Sequence, residues 1–343
     1  MKQNNVIAID LAKYVYDICV VDKAGKVLSE KTIRRRNLAK YLSKQAPALV
    51  AMEACTGAHY WSRVAQQHGH RVILLPAKFV TAFRQGQKTD ANDALAIAIA
   101  SQQPKLRSVT VKSIEQQDLQ SCRRVHEHLS AQRTAVSNML RGLLAEFGIV
   151  FAKGFAQLKR QLPSILEDAE NGLPFSFRET LNLTWQHWQR LEEELKACEK
   201  MLQSRVNQNA HCRELMQLEG VGPMNALGLY VALGDGASFK NGRCAAAFIG
   251  VTPKQNSSGG TIHMKGIGKK TGCKRLRSSL IQGAQAVINV LDKRPPRTEK
   301  ERWLKSMIER RGRGRAAVAL ANKTVRTAWA MLKYNQPYQW VAS

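Results

Sequence analysis

The sequence predicts an α/β domain followed by a mainly helical remainder. Three observations predict it. Short β-branched runs alternate with helical stretches through residues 1–111, the pattern of an α/β layer architecture. Two long, polar stretches of helical period fill residues 112–206. Residues 207–343 are basic and mainly helical in character, and carry a helix-turn-helix segment punctuated by Gly-Val-Gly-Pro. The expected boundaries therefore fall at 1–111, 112–206 and 207–343.

Each element has its own signal. "VIAID" is a short buried strand, "YDICVVD" a second, and "DKAGK" the turn that follows it. Leu49 to Met52 form a further strand, after which a glycine turn opens the helix of "GAHYWSRVAQQHG". "HRVILLPAKFV" gives another strand, ended by Pro76. "TDANDALAIAIA" opens a helix with Asp90 and Asp93 in its first turn. The two long helices of residues 112–206 flank a loop containing Pro163, Gly172 and Pro174, and suggest a helical hairpin or coiled-coil arm. "LMQLEGVGPMNALGLYVALGD" resembles a helix-hairpin-helix, in which backbone N–H groups at Gly220 and Gly222 would face a phosphate.

Composition narrows the function. The 343 residues carry a net charge of +27. So large an excess points to a polyanionic partner, most often nucleic acid. The charge is uneven: +10 over residues 1–110, −1 over 111–239 and +18 over 240–343. The seven cysteines are scattered with no C-x-x-C pair, which argues against a disulfide framework or zinc site and suits a reducing cytosol. The sequence lacks a secretory signal pattern and an apolar run of 18 residues, so a soluble, cytoplasmic protein is expected.

Against that basic background the few acids stand out. Residues 1–110 hold seven. Asp17, Asp22 and Glu30 read as surface or turn residues. Asp10 ends the run "VIAID", Glu53 follows "ALVAM", and Asp90 and Asp93 start a helix. Acids at strand ends and a helix start can converge on one edge of a sheet, where open α/β sheets bind ligands. Asp90 alone could be a helix cap. Four carboxylates together repel one another unless cations neutralise them, and hard oxygen ligands suit Mg²⁺, singly or as a pair of ions.

The blocks "IAIDLAK", "AMEACTGAHYW" and "KTDANDALAIA" resemble those of the DEDD transposases of bacterial insertion sequences, insertion-sequence family one-ten, to which the Piv invertases are related. The resemblance implies a RuvC-like, RNase H fold catalytic domain with Asp10, Glu53, Asp90 and Asp93 as the acids that hold Mg²⁺ or Mn²⁺. It implies a helical arm, then a transposase domain with a helix-hairpin-helix and a nucleophilic serine. "NSSGG" after "GVTP" matches that serine block, so Ser258, directly before glycine, is the expected nucleophile and Ser257 the runner-up. Asn256 stands where many relatives carry an aromatic residue. Lys265, Lys269, Lys270, Lys274, Arg275 and Arg277 would hold phosphates nearby. The family's composite site brings serine and acids together, partly across subunits.

The function implied is DNA cutting and rejoining by a Mg²⁺-dependent serine recombinase. Its partners would be DNA at target and donor ends, a bridge RNA encoded by the element, and further copies of the chain in a dimer or tetramer, in a nucleoid-associated bacterial protein. Two other classes compete. A RuvC-like nuclease would hydrolyse branched DNA with water, and the serine block counts against it. A non-catalytic basic DNA-binding protein would not need the full set of acids.

Overall fold

The computed structural model describes residues 5–87, 89–268 and 272–339. The chain forms two units, one made of residues up to Ser113 with Ala237–Lys240, the other of Ile114–Gly236 with Asn241 onward.

The first unit is built on a five-stranded sheet. Its strands are β1 (Val6–Leu11), β2 (Val15–Val21), β3 (Val27–Arg34), β4 (Leu49–Glu53) and β5 (Arg71–Leu75), in the order β3-β2-β1-β4-β5. β1, β2 and β3 pair antiparallel, whereas β4 runs parallel to both β1 and β5. Alternation along β1 explains the two cores. Ile7 and Ile9 face one side, where they pack with Leu38 and Leu42 of α1 (Leu38–Ser43) and Trp61 of α2 (Ala58–Gln67). On that side Trp61 Nε1 donates to the buried Tyr16 hydroxyl at 2.8 Å. Val6 and Ala8 face the other side. There a four-residue helix, α3 (Ala77–Val80), follows β5 and is succeeded by α4 (Asp90–Ser101). Ala94, Ala96, Ala98 and Ala100 of α4 share one apolar cluster with Ala8 and Ala51 of the sheet, and such small side chains let the helix lie close to the strands. β3 is a further strand beyond the two expected in this N-terminal stretch. Most of its residues are exposed, so no buried stripe announces it.

The second unit is mainly helical. α5 (Ile114–Ala145) and α7 (Phe175–Gln208) pack along each other, with α6 (Phe155–Glu167) between them in sequence. Arg205 meets Asp118, Glu199 meets His126 and Glu192 meets Arg133, a descending order that makes the pair antiparallel. α5 buries no residue between Leu119 and Ser137, so these polar pairs occupy the middle of the contact in place of a continuous apolar seam. Trp185 and Trp188 stack at 5.1 Å in the apolar cluster under α6.

α8 (Ala210–Leu215) and α9 (Pro223–Leu233) follow, then α10 (Gly242–Ile249), the hairpin β6 (Pro253–Ser258) and β7 (Thr261–Ile267), α11 (Lys274–Leu291), α12 (Glu299–Arg311) and α13 (Arg313–Tyr334). The sequence suggested no strand in the last hundred residues. The hairpin is exposed along almost its whole length, so it carries no hydrophobic alternation to reveal it. No described helix is long and apolar enough to cross a membrane.

Candidate active site

The four acids come from three elements of the first unit. Asp10 lies in β1 two residues after Ala8, and Glu53 ends β4 two residues after Ala51. Ala8 and Ala51 both pack on the face covered by α4, and strand side chains alternate, so Asp10 and Glu53 share that face. β1 and β4 are parallel neighbours with Ile9 opposite Met52, which sets Asp10 beside Glu53 one step further on. α4 contributes Asp90 and Asp93 from its first turn. Asp90 precedes Ala94 by four residues and Asp93 precedes Ile97 by four, and both Ala94 and Ile97 pack against the sheet. Residues four apart share a helix face, so both carboxylates continue the sheet-facing side of α4.

The electrostatics agree with that placement. The carboxyl of Asp10 is pushed up from 3.8 to about 6, first by burial, then by the charges of Asp93, Asp90 and Glu53, and least by Asp17. Asp17 lies directly across β1–β2 from Asp10 and accepts from Thr32 Oγ1 at 2.6 Å. Its expected place as a surface or turn residue is therefore corrected: it is a half-buried strand residue on the same face. The register that brings it there involves residues on two strands and is not written in either run alone.

Thr89, not Asp90, caps α4, since its hydroxyl accepts from the Asn92 backbone N–H at 3.2 Å. Capping is thus not the role of Asp90. Asp93 pairs with Arg84 Nη1 at 3.1 Å. Arg84 was not singled out in the sequence, where a lone arginine six residues before Asp90 in a basic domain carries no signal. The Cys55 thiol is pushed up to about 11 by burial and by Glu53 and Asp10, so it stays protonated near neutral pH and adds no nucleophile beside the acids.

A divalent cation fits this donor set chemically. All four groups are hard oxygen donors, their mutual repulsion is the kind a cation relieves, and Arg84 already meets one of the charges. Among the described residues, no three side chains from His, Cys, Asp and Glu are grouped to hold an ion as they stand.

Ser258 belongs to the second unit, at the end of β6, opposite Thr261. Gly259 and Gly260 form the two-residue turn with φ of +55° and +79°, a primed hairpin turn that glycine adopts without steric cost. Ser257 and Ser258 point to opposite faces of the hairpin. Ser257 Oγ accepts from Gln255 Nε2 at 2.9 Å. His263 pairs with Asn256 across the ladder, one diagonal step from Ser258 on the same face. Such diagonal neighbours stand about 7–8 Å apart, beyond direct proton transfer.

The expected phosphate ligands divide. Lys265 is exposed on β7 and Lys274 opens α11. Arg275 is paired with Glu127 at 3.2 Å. Arg277 is buried and donates to the Gly268 carbonyl at 2.7 Å, so a surface phosphate role for it is replaced by a structural one. Lys269 and Lys270 lie outside the described residues. In the α8–α9 turn, Gly220 has φ +74°, and a Cβ there would meet the Gly283 carbonyl oxygen of α11 at 2.6 Å. Gly220 therefore serves close backbone packing. Gly222 is exposed at the N-terminus of α9, with Pro223 in its first turn.

Comparison with known proteins gives the family. A transposase model of the DEDD, IS110 type matches residues 7–149, and a model described as transposase IS116/IS110/IS902 family matches residues 212–300. The chain is 37% identical to a probable family 20 transposase of Pseudomonas aeruginosa, over 97% of this chain and 98% of that relative. It is 35% identical to the transposase for insertion sequence element IS1111A of Coxiella burnetii, over 99% of this chain and 92% of that relative. More distantly, it is 24% identical to a pilin gene-inverting protein of Moraxella bovis, over 81% of this chain and 79% of that relative. With acids of the DEDD pattern on one sheet face and this similarity along nearly its full length, the chain belongs to the IS110 family of transposases.

Proposed function

We propose that this transposase cuts and rejoins DNA through a covalent bond to Ser258, with the four acids of the first unit as its cation-holding group and an RNA as its guide. The Ser258 hydroxyl oxygen forms a bond to a backbone phosphorus. The bond from that phosphorus to one deoxyribose oxygen breaks, and the serine proton ends on the departing oxygen. The phosphoserine conserves the energy of the broken bond, so the reverse attack by a new deoxyribose hydroxyl rejoins the strand. Asp10, Glu53, Asp90 and Asp93 would hold Mg²⁺ or Mn²⁺, which supplies positive charge for the phosphate.

The observation that carries this reading is the raised carboxyl of Asp10, held there in part by three further acids drawn from two other elements. Such a cluster in a chain of net charge +27 costs stability unless something cationic meets it. The exposed hydroxyl of Ser258, at the tip of a hairpin beside a primed turn, supports the nucleophile. The basic C-terminal stretch suits DNA ends together with a bridge RNA, whose pairing would choose sequence while the protein reads backbone and shape. In the same reading the antiparallel α5–α7 pair serves as the coiled-coil arm and the α8–α9 turn as a helix-hairpin-helix on backbone phosphates. The chain works as a homo-oligomer on the nucleoid.

The test is a trapped recombination reaction. A DNA-linked protein band that survives boiling in detergent, mapped to the peptide containing "NSSGG", is expected. Ser258→Ala should lose that band and strand exchange while retaining DNA binding, whereas Ser257→Ala should do much less harm. Exchange that proceeds with Ser258→Ala would overturn the serine mechanism and leave hydrolysis at the acids. Alanine at Asp10, Glu53, Asp90 or Asp93 should each abolish exchange. Protein freed of RNA should lose sequence-specific binding, and undiminished specificity would remove the guide.

A further inference from the structure

The second unit holds an open groove of about 1680 Å³ between α10, β7 and the α12–α13 pair. Pockets for small molecules run to about 300–1,000 Å³, so the size suits a chain-like ligand better. Six cations line it: Arg243, Lys265, Arg311, Arg315, Lys323 and Arg326. All six are exposed, and among the described residues no carboxylate shares the lining. Among the described residues none of the six is in an ion pair, although Arg275, Arg294 and Arg313 of the same unit are.

The fold builds this convergence. Arg315, Ala319, Lys323 and Arg326 follow one another on α13 at steps of four, four and three, which is one helix face. Gly312, at φ +78°, turns α12 into α13 and sets Arg311 near Arg315. α10 is pressed on α13 so closely that a Cβ on Gly242 would stand 3.1 Å from Arg326 Cα, and this brings Arg243 to the same rim. Asn322 Nδ2 donates to the Val251 carbonyl at 3.2 Å and pins the segment that leads into β6. Lys323 Nζ lies 4.6 Å from the centre of the Trp303 ring, an aromatic partner and not an acid. Between the cations much of the lining is small or apolar, as at Val251, Gly266, Ile267, Gly314, Val318 and Ala319.

We infer that this groove binds the phosphodiester backbone of a nucleic-acid strand. Like charges gathered without a counter-charge raise the free energy of the empty groove, and a polyanion lowers it by releasing its own counterions. Phosphates match the spaced cations, and sugars match the apolar floor. β7 forms one wall, and its hairpin partner β6 ends in Ser258. Lys265 pairs with Lys254, four residues before Ser258, so the wall reaches the serine within about 13 Å at the rise of a strand. A strand held here is thus fixed close to the proposed nucleophile. The inference rests on the nucleic-acid chemistry proposed above and not on the serine step.

The test is binding to the full chain, freed of nucleic acid and kept in EDTA so that no cutting intrudes. Affinity for labelled single-stranded DNA, duplex DNA and single-stranded RNA is measured by fluorescence anisotropy across a salt series. Each phosphate-bound cation contributes about 0.7–0.9 to the slope of log affinity against log salt. Arg315→Ala with Arg326→Ala should therefore lower the slope by about 1.5 for whichever strand occupies the groove. Lys196→Ala with Lys200→Ala, on the exposed face of α7, is the control and should leave it unchanged. Arg243→Gln, a single change, should lower it by about 0.8 and covers the case in which the double variant melts early. A slope equal to the control's with all three ligands overturns the inference. If that happens while the covalent adduct still forms, the groove fails and the recombinase reading stands. A lowered slope without any adduct has the reverse meaning.

Discussion

Asp10→Asn should stabilise the first unit while abolishing exchange, and the size of the effect follows from the site. The carboxyl rises from 3.8 to about 6 because burial and four neighbouring acids disfavour its charge. At about 1.4 kcal/mol per unit of pKa, the full shift corresponds to roughly 3 kcal/mol of destabilisation in the ionised state. Asp10 is only part-buried, so solvent screening reduces this to about 1–2 kcal/mol. The sign runs with pH. Above about 6 the residue is ionised both folded and unfolded, and the folded state bears the whole cost. Between 6 and 3.8 the folded state takes up a proton and the cost shrinks, and below 3.8 it is gone. In EDTA at pH 7.5, Asp10→Asn should melt on the order of 4–8 °C above the wild type. The gap should narrow steadily towards pH 4.5. Mg²⁺ should raise the melting temperature of the wild type more than that of the variant. A variant that melts at or below the wild type at pH 7.5, with no change of the gap on acidification, would refute the repulsion argument and with it the convergence of the acids.

Two further perturbations test the second unit. Gly283→Ala places a Cβ 2.1 Å from the Gly220 carbonyl oxygen, backbone against backbone, so it should cost about 3 kcal/mol or prevent folding, whereas Gly222→Ala, with nothing within 4 Å, should cost only the capping preference of glycine over alanine, about 1 kcal/mol or less, in a denaturant titration. Glu301 accepts from both Arg294 Nη1 and Nη2 and from the Arg297 backbone N–H, and these bonds, led by Arg294, hold its carboxyl below the usual range. Its contribution is present above the ordinary glutamate pKa and is lost as pH falls through the lowered value, so Glu301→Gln should flatten the acid limb of the stability profile; an unchanged acid limb would count against the pairing.

Much of the catalytic half was legible because its signals are local. A buried run ending in an acid, as in "VIAID" and "ALVAME", states the strand and the site together, and the apolar helix opened by Asp90 and Asp93 states the rest. What escaped was non-local or unpatterned. Asp17 joins the acids only through strand register, and Arg84 only through the loop that precedes α4. The close approach of Gly220 to Gly283 was hidden because the two are 63 positions apart. β3 and the β6–β7 hairpin expose nearly every residue, and a strand with no buried side has no period to detect. The groove cations sit within a generally basic stretch, where only the fold separates paired arginines from unpaired ones.

Residues 237–240 return to the first unit in the middle of the second, and Ser238 Oγ lies 2.5 Å from Thr110 Oγ1 there. The polypeptide therefore crosses the boundary three times, after Ser113, Gly236 and Lys240. A protein cut once at Ser113 leaves the N-terminal half without its Ser238 contact, and the helical half with a four-residue stretch that has lost its host. Neither half is a self-sufficient cassette. Dissection by truncation will underestimate both, and an exchange of modules between relatives that preserved function would have to carry the short return segment along with the N-terminal piece, as a split gene carries its two exons.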